Sequence, residues 1–411
     1  MPHASDGRRA LDEYELTRHY EHWHSDLALA RECGATMIRY GIPWHRINPD
    51  PGTWSWDWLD RVVDRLVELE LDAIVDLMHY GTPLWLENEF LNPEYDRFVS
   101  DYAARVAERY RDAFSIYTPL NEPLINAKYC GEWGIWPPRR TGHEGFVALI
   151  RALSRGVVST QQTIRDVAPN ATFVHVEATF RYVGALEQEQ ARLLLDRRFI
   201  AEDLICGRVD AAHPLTDYLL RHGFSDADLS WFQEHSAPPD VMGVNYYPNL
   251  STEEFPETHV HHGAPWDPRP RRDDGVEGLE DVIRTWSERY GAPIFVTETS
   301  HPGSSIERRL RWLDESVETL WRLRAEGVPI VGYTWWPLFD MIDWRYREGV
   351  EPVERYLLPS GLYELDGGDH FARLPTELVQ RFRELAEASG PVARVGAEAA
   401  AIVPSVSSGQ A

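Results

Sequence analysis

Two glutamates stand where a buried strand gives way to a loop. Glu122 lies in Tyr117-Thr118-Pro119-Leu120-Asn121-Glu122-Pro123, directly after the apolar run Phe114-Ser115-Ile116-Tyr117, and Glu298 ends Pro293-Ile294-Phe295-Val296-Thr297-Glu298. A carboxylate at the C-terminal end of a buried strand is costly unless chemistry or a partner holds it there. Two of them, on strands far apart in sequence, are the pair that double displacement at a glycosidic carbon requires. One serves as acid and base, the other as nucleophile, with carboxyl groups about 5–5.5 Å apart. Taken alone, each motif reads equally as a loop-edge salt bridge, because short strings recur by chance.

The elements that must position this pair follow an alternating pattern. Short β-branched runs at Thr36–Tyr40, Asp72–Met78, Phe114–Thr118, Thr172–Val176, Val241–Asn245, Pro293–Thr297 and Ile330–Trp335 read as strands. Between them, apolar positions spaced i, i+3, i+4 predict helices at Trp58–Glu70, Asp96–Tyr110, Gly145–Asp166 and Ile306–Glu326. Repeated βα units imply an α/β fold, a (β/α)8 TIM barrel. Only seven strands are legible. The eighth should precede a helix at about Leu11–Cys33, and nothing in Met1–Arg9 can serve. The first strand therefore reads as missing or replaced, through a start upstream of Met1 or through imperfect closure. A seam is expected between Thr36–Tyr40 and Ile330–Trp335, opening the pocket beside His79 and Trp336. Residues 1–390 read as one catalytic domain, and 391–411, without periodic pattern, as a disordered tail.

The last residue of each strand gives a consistent set: Arg39, His79, Asn121 with Glu122, Glu177, Asn245 with Tyr247, Glu298, and Trp335 or Trp336. Each strand end is polar or aromatic while the interiors read as apolar. In a barrel these ends converge on one mouth, where active sites sit.

Bulk properties bound the alternatives. Hydrophobic residues at 43% and charged residues at 26% describe a globular chain with ample core. A net charge of −25 excludes nucleic acid and anionic membranes as natural partners, since both need a basic surface. The 16 tryptophans and 18 tyrosines are consistent with sugar stacking, and with core packing alike. Cys33, Cys130 and Cys206 are widely spaced and form no Cys-x-x-Cys pair, as reduced thiols in a cytoplasmic protein would be. Met1 to Asp12 has no apolar run, so no signal peptide is expected, and no segment reaches the apolar length of a membrane span.

From about His19 to Leu385 the chain resembles the family 1 glycoside hydrolases, the β-glucosidase-like TIM barrels of clan A. Leu120-Asn121-Glu122-Pro123 matches the family's acid/base motif and Thr297-Glu298 its nucleophile motif. His79, followed by Pro83-Leu84-Trp85-Leu86, resembles a sugar-binding histidine. Arg39 in Ile38-Arg39-Tyr40-Gly41-Ile42-Pro43-Trp44 resembles the arginine that holds the nucleophile. Gly243-Val244-Asn245-Tyr246-Tyr247 resembles a motif whose second tyrosine touches it. The run from Gly332 to Trp344 resembles the glycone platform, and Gly361-Leu362-Tyr363 the closing segment. The resemblance implies that Glu298 is the nucleophile, steadied by Arg39 and Tyr247, and that Glu122 is the acid/base. It implies further that Asn121 binds the 2-hydroxyl, that His79, Asn245, Asp343 and Trp344 contact the sugar, and that Trp336 stacks beneath it.

The chain also departs from the family. The strand-one glutamine that binds sugar hydroxyls has no counterpart, Pro119 displaces a threonine, Thr-Glu-Asn-Gly has become Thr297-Glu298-Thr299-Ser300, and Asp343 replaces a glutamate. The chemistry is expected to be kept and the sugar pocket altered. Glu177 is a substrate contact or a salt-bridge partner of Arg181. The histidines His19, His22, His24 and His259, His261, His262 lack zinc-type spacing, so no metal and no cofactor is expected. Asp267 and the run Arg269–Asp274 read as solvated loop. The leading reading is a retaining β-glycosidase acting on a small glycoside or oligosaccharide, with oligomeric state open. A transglycosidase using the same intermediate is a second reading, and a carbohydrate-binding barrel without turnover a third.

Overall fold

The computed structural model describes residues 8–257 and 269–389. Most of Met1–Arg9, together with His259, His261, His262, Asp267 and the 391–411 tail, lies outside them. Seven parallel strands form one sheet: β1 (Met37–Gly41), β2 (Asp72–Asp76), β3 (Ile116–Thr118), β4 (Thr172–Ala178), β5 (Val241–Asn245), β6 (Ile294–Thr299) and β7 (Ile330–Trp335). Each strand neighbours the next in sequence, so a helical crossover must return the chain every time. The helices Asp57–Glu68, Tyr95–Arg109, Gly142–Val167, Gly275–Tyr290 and Ile306–Ala325 are among these crossovers. All seven strands expected from the sequence are present.

The alternation of strand side chains sorts the core into layers. Ile74, Ile116, Val174, Val176, Val241, Phe295 and Val331 meet in one cluster inside the barrel. Their neighbours of opposite parity, including Val75, Tyr117 and Phe173, or Met242, Val244 and Val296, pack outward against the helices. The inner cluster closes the barrel floor, and polar residues of the same parity sit above it at the mouth.

Among the described residues the sheet does not close. β1 and β7 are its two ends, and they do not pair with each other. The predicted helix at Leu11–Cys33 is two helices, α1 (Glu13–Leu16) and α2 (His19–Glu32), separated where Arg18 adopts a left-handed φ of 60°. His19 is a core histidine, bridging Asp26 at 2.8 Å and the Tyr40 hydroxyl at 2.7 Å. Along the seam between β1 and β7 lies a cavity of about 350 Å³, lined on its third side by Leu11, Glu13 and Tyr14. The expected opening beside His79 and Trp336 is therefore present, and both residues line it.

The run Arg269–Asp274 is exposed over most of its length, as expected of a solvated segment, but it is a strand in part rather than a loop. Arg271–Arg272 pairs antiparallel with the strand Thr252–Phe255, which pairs in turn with Arg181–Gly184. Pro270, Arg271, Arg272 and Asp273 are exposed, as a solvated segment would be, while Asp274 is buried and receives Arg181.

Candidate active site

Strand parity alone would turn Glu298 away from the barrel axis, because Val296 faces outward and Thr297 inward. β6 avoids this with a bulge: its pairing with β5 steps from Val244–Val296 to Asn245–Glu298, one residue longer on the β6 side. A bulge re-aims the side chain that follows it. Glu298 is thereby brought to the mouth and is buried there. Arg39 Nη1 donates to its Oε1 at 2.6 Å and the Tyr247 hydroxyl donates to its Oε2 at 2.7 Å. A buried charge is tolerable only when paired and hydrogen-bonded, and both oxygens of Glu298 are.

Arg39 is the hub of the network. Its Nη2 also donates to Asp76 Oδ2 at 2.8 Å and to Asn121 Oδ1 at 2.9 Å. Asp76 in turn lies 2.7 Å from His79 Nδ1. Burial works against charge on His79, yet Asp76 outweighs it and raises the imidazole above its ordinary range. Burial likewise opposes ionisation of Asp76, and Arg39 and His79 together pull that carboxyl below its usual value. The result is a Glu298–Arg39–Asp76–His79 chain of alternating charge.

Glu122 is held differently. It follows β3 in the left-handed region, φ 47°, before Pro123 opens the short helix Pro123–Ala127. That conformation is strained for a residue with a Cβ, and surrounding bonds must impose it. The Asn121 N–H donates to the Met78 carbonyl and the Glu122 N–H to the Val176 carbonyl, both at 3.0 Å. The side chain accepts from Asn245 Nδ2 at 2.7 Å on Oε1 and from the Tyr80 hydroxyl on Oε2. Burial, followed by the negative charge of Glu298, raises the Glu122 carboxyl to about 7 despite these two donors. One glutamate is clamped by a guanidinium, and the other is kept protonatable near neutrality. Such divergence separates acid from nucleophile in paired-carboxylate chemistry.

Aromatic rings line the rest of the mouth. His79 and Trp336 lie parallel at 6.4 Å, and Tyr247 meets Trp336 edge-on at 6.2 Å. Trp344 packs against Trp136 at 5.0 Å and Tyr80 at 5.8 Å. Trp335 is buried, its indole N–H on the Ser360 carbonyl, which leaves Trp336 as the tryptophan at the mouth.

Of the residues expected at the site, Arg39, His79, Asn121, Glu122, Asn245, Tyr247, Glu298, Trp336 and Trp344 are gathered there. Two are not. Asp343 accepts from Arg345 through its backbone N–H at 2.8 Å and its guanidinium at 2.7 Å, capping the short helix Trp344–Arg347. A ready-made local partner has taken the carboxylate. Glu177 has the outward parity of β4, opposite to Val176, and accepts the Leu124 N–H at 3.1 Å and its neighbour Ala178 N–H at 2.8 Å. It fastens β4 to the helix behind Glu122. Arg181, its suggested partner, pairs with Asp274 and Asp281 instead. Asp76 and Tyr80 were missed. Asp76 is a charge inside an apolar run that ends with the strand, and that break in pattern was its signal. Tyr80 left none beyond its place beside His79. No trio of His, Cys, Asp or Glu suited to a metal gathers among the described residues.

The Tyr80 bond has a consequence for pH. Its hydroxyl stabilises the Glu122 carboxylate, so removing it favours the protonated form. In Tyr80→Phe the alkaline limb of kcat/KM is expected to move to higher pH, by roughly half a unit to one unit for one lost hydrogen bond. An unchanged or downward-moved limb in the pH profile would contradict that role.

Comparison with known proteins adds to this geometry. The chain matches the family model described as "Glycosyl hydrolase family 1" over residues 15–388. It is 24% identical to β-glucosidase A of Thermotoga maritima, the match covering 79% of this chain and 78% of the relative. It is 26% identical to a bifunctional β-D-glucosidase/β-D-fucosidase of Bifidobacterium breve, with 80% of each covered. In three dimensions it aligns with the Thermotoga maritima β-glucosidase solved in complex with azafagomine at a TM-score of 0.78. That alignment is 20% identical in sequence and covers 91% of this chain and 88% of the other.

Proposed function

Since the chain belongs to glycosyl hydrolase family 1 and is a glycoside hydrolase acting on β-glycosides, we propose that it works by double displacement, with Glu298 as nucleophile and Glu122 as acid/base. The observation that carries this reading is the unlike treatment of the two carboxyls, one paired with Arg39 and the other raised to about 7.

In the first step a Glu298 carboxylate oxygen attacks the anomeric carbon from the face opposite the aglycone. The glycosidic C–O bond breaks as Glu122 delivers its proton to the departing oxygen. The product is a glycosyl ester of Glu298, whose negative charge is thereby lost. With that charge gone, Glu122 ionises more readily, helped by its donors Asn245 and Tyr80. It then takes a proton from water, which attacks the anomeric carbon and releases Glu298. Two inversions retain the β configuration. In this reading Asn121, held by Arg39, meets the 2-hydroxyl, and His79 and Trp336 wall the sugar. Small aryl or alkyl β-glycosides are the proposed substrates. Three free cysteines support a reducing, cytoplasmic setting.

A 2-deoxy-2-fluoro β-glycoside with a good leaving group tests the assignment. The fluorine slows both steps and the leaving group rescues only the first, so the ester accumulates. One fluoroglycosyl unit is expected by mass spectrometry on the peptide carrying Glu298. Label on another residue, or release of the α anomer as first product by NMR, would refute the mechanism.

A further inference from the structure

Where an eighth strand would complete the barrel, the described chain instead presents the seam cavity and, at its edge, α1. The cavity lining includes Glu13, Tyr14, Arg39, His79, Trp336 and Met341, but neither Glu122 nor Glu298. It therefore flanks the reacting end of the site along the seam.

Glu13 is the unusual member of that lining. It comes from a helix of one turn and is only partly buried as a residue, yet its carboxyl turns inward and its Oε2 accepts the Ile342 N–H at 3.0 Å. Its Oε1 is also buried and has no hydrogen-bond partner among the described residues. A carboxyl oxygen removed from water without a partner is costly, so such an atom calls for an occupant that donates or accepts. Among the described residues no neighbour supplies one. Arg39 is committed to Glu298, Asp76 and Asn121, and His79 Nδ1 to Asp76. Burial pushes the Glu13 carboxyl to about 7, so near neutrality it is available both as acceptor and as donor, the two modes a sugar hydroxyl offers in return.

We infer that Glu13 is a substrate-binding residue, its Oε1 hydrogen-bonding a glycone hydroxyl remote from the scissile bond and replacing from a helix what the open barrel wall does not provide. This rests on the double-displacement reading of the same site. Glu13 takes no part in the bond changes, so its loss falls on recognition.

The test pairs variants with substrates. Wild type, Glu13→Ala and Glu13→Asp are assayed on an aryl β-glucoside and on its 3-, 4- and 6-deoxy forms, with fluoroglycoside labelling of Glu298 run in parallel. A carboxyl that meets a hydroxyl makes a bond whose loss lowers kcat/KM about 10-fold or more. Wild type should lose that factor on one deoxy substrate. Glu13→Ala should lose it on the parent glucoside and fail to distinguish the two. Should Ala disturb the seam fold, Glu13→Asp decides, because it keeps a carboxyl but withdraws it by one methylene. It is expected to lose at least 5-fold on the parent and nothing on the matching deoxy substrate. Equal losses on every substrate, or no loss, would overturn the role of Glu13. Failure of Glu298 to label would instead point to failure of the underlying mechanism.

Discussion

Glu298→Gly is expected to abolish hydrolysis of aryl β-glycosides, lowering kcat by roughly 10⁵–10⁶, the scale seen when a nucleophile is removed from a covalent mechanism. The loss should be the same for every leaving group, because no aglycone can leave well enough to dispense with the attacking carboxylate. The variant should remain folded. Removing one end of the Glu298–Arg39 pair leaves Arg39 with Asp76 and Asn121 as partners, so the guanidinium is not stranded. Added azide should restore turnover from the opposite face and yield the inverted glycosyl azide. Substantial residual activity with retained configuration, measured on enzyme free of wild-type contamination, would exclude Glu298 as nucleophile.

The loss in Glu122→Ala should instead depend on the aglycone. With an alkyl or weakly acidic aryl leaving group, proton delivery is part of the first barrier, and kcat/KM is expected to fall by about 10²–10⁴. A dinitrophenolate needs no proton, so the first step should survive and product should appear as a burst. Slow turnover follows, because water lacks its base. The neutral-pH limb assigned to Glu122 should vanish from the profile as well. Equal losses for alkyl and dinitrophenyl glycosides would show that the glutamates have been assigned the wrong roles.

Much of this site was legible because its residues occupy positions that repeat: the end of each strand, above an apolar interior. Asn245 and Glu298 stand at or next to the last residue of their strands, and Glu122 and Tyr247 follow theirs by a few residues. Arg39 lies at the centre of β1 and reaches the mouth by its length and inward parity. Glu177 stands at a strand end too, but its parity with Phe173 and His175, rather than with Val174 and Val176, sends it behind the wall. That counting was available in the sequence. The fate of Asp343 was not, since an Asp two residues before an Arg serves equally as a cap or as a sugar contact, and only the packed chain decides. Tyr80 and Glu13 depend on tertiary proximity alone, to Glu122 in one case and to Ile342 in the other. The bulge in β6 was equally hidden, although without it the nucleophile would face the helices.

The open ring also changes how the fold holds together. In a closed barrel every strand is tied on both sides, and loosening one requires loosening its neighbours. Among the described residues, the strand that carries Arg39 and the strand that leads into Trp336 are the two unpaired ends of a C-shaped spring. They are also opposite jaws of the sugar site. A glycone bridging Arg39's network and Trp336 would join those ends through its own hydroxyls and ring face. The substrate is then a removable eighth stave, and the catalytic mouth is at its most cooperative only while it is occupied.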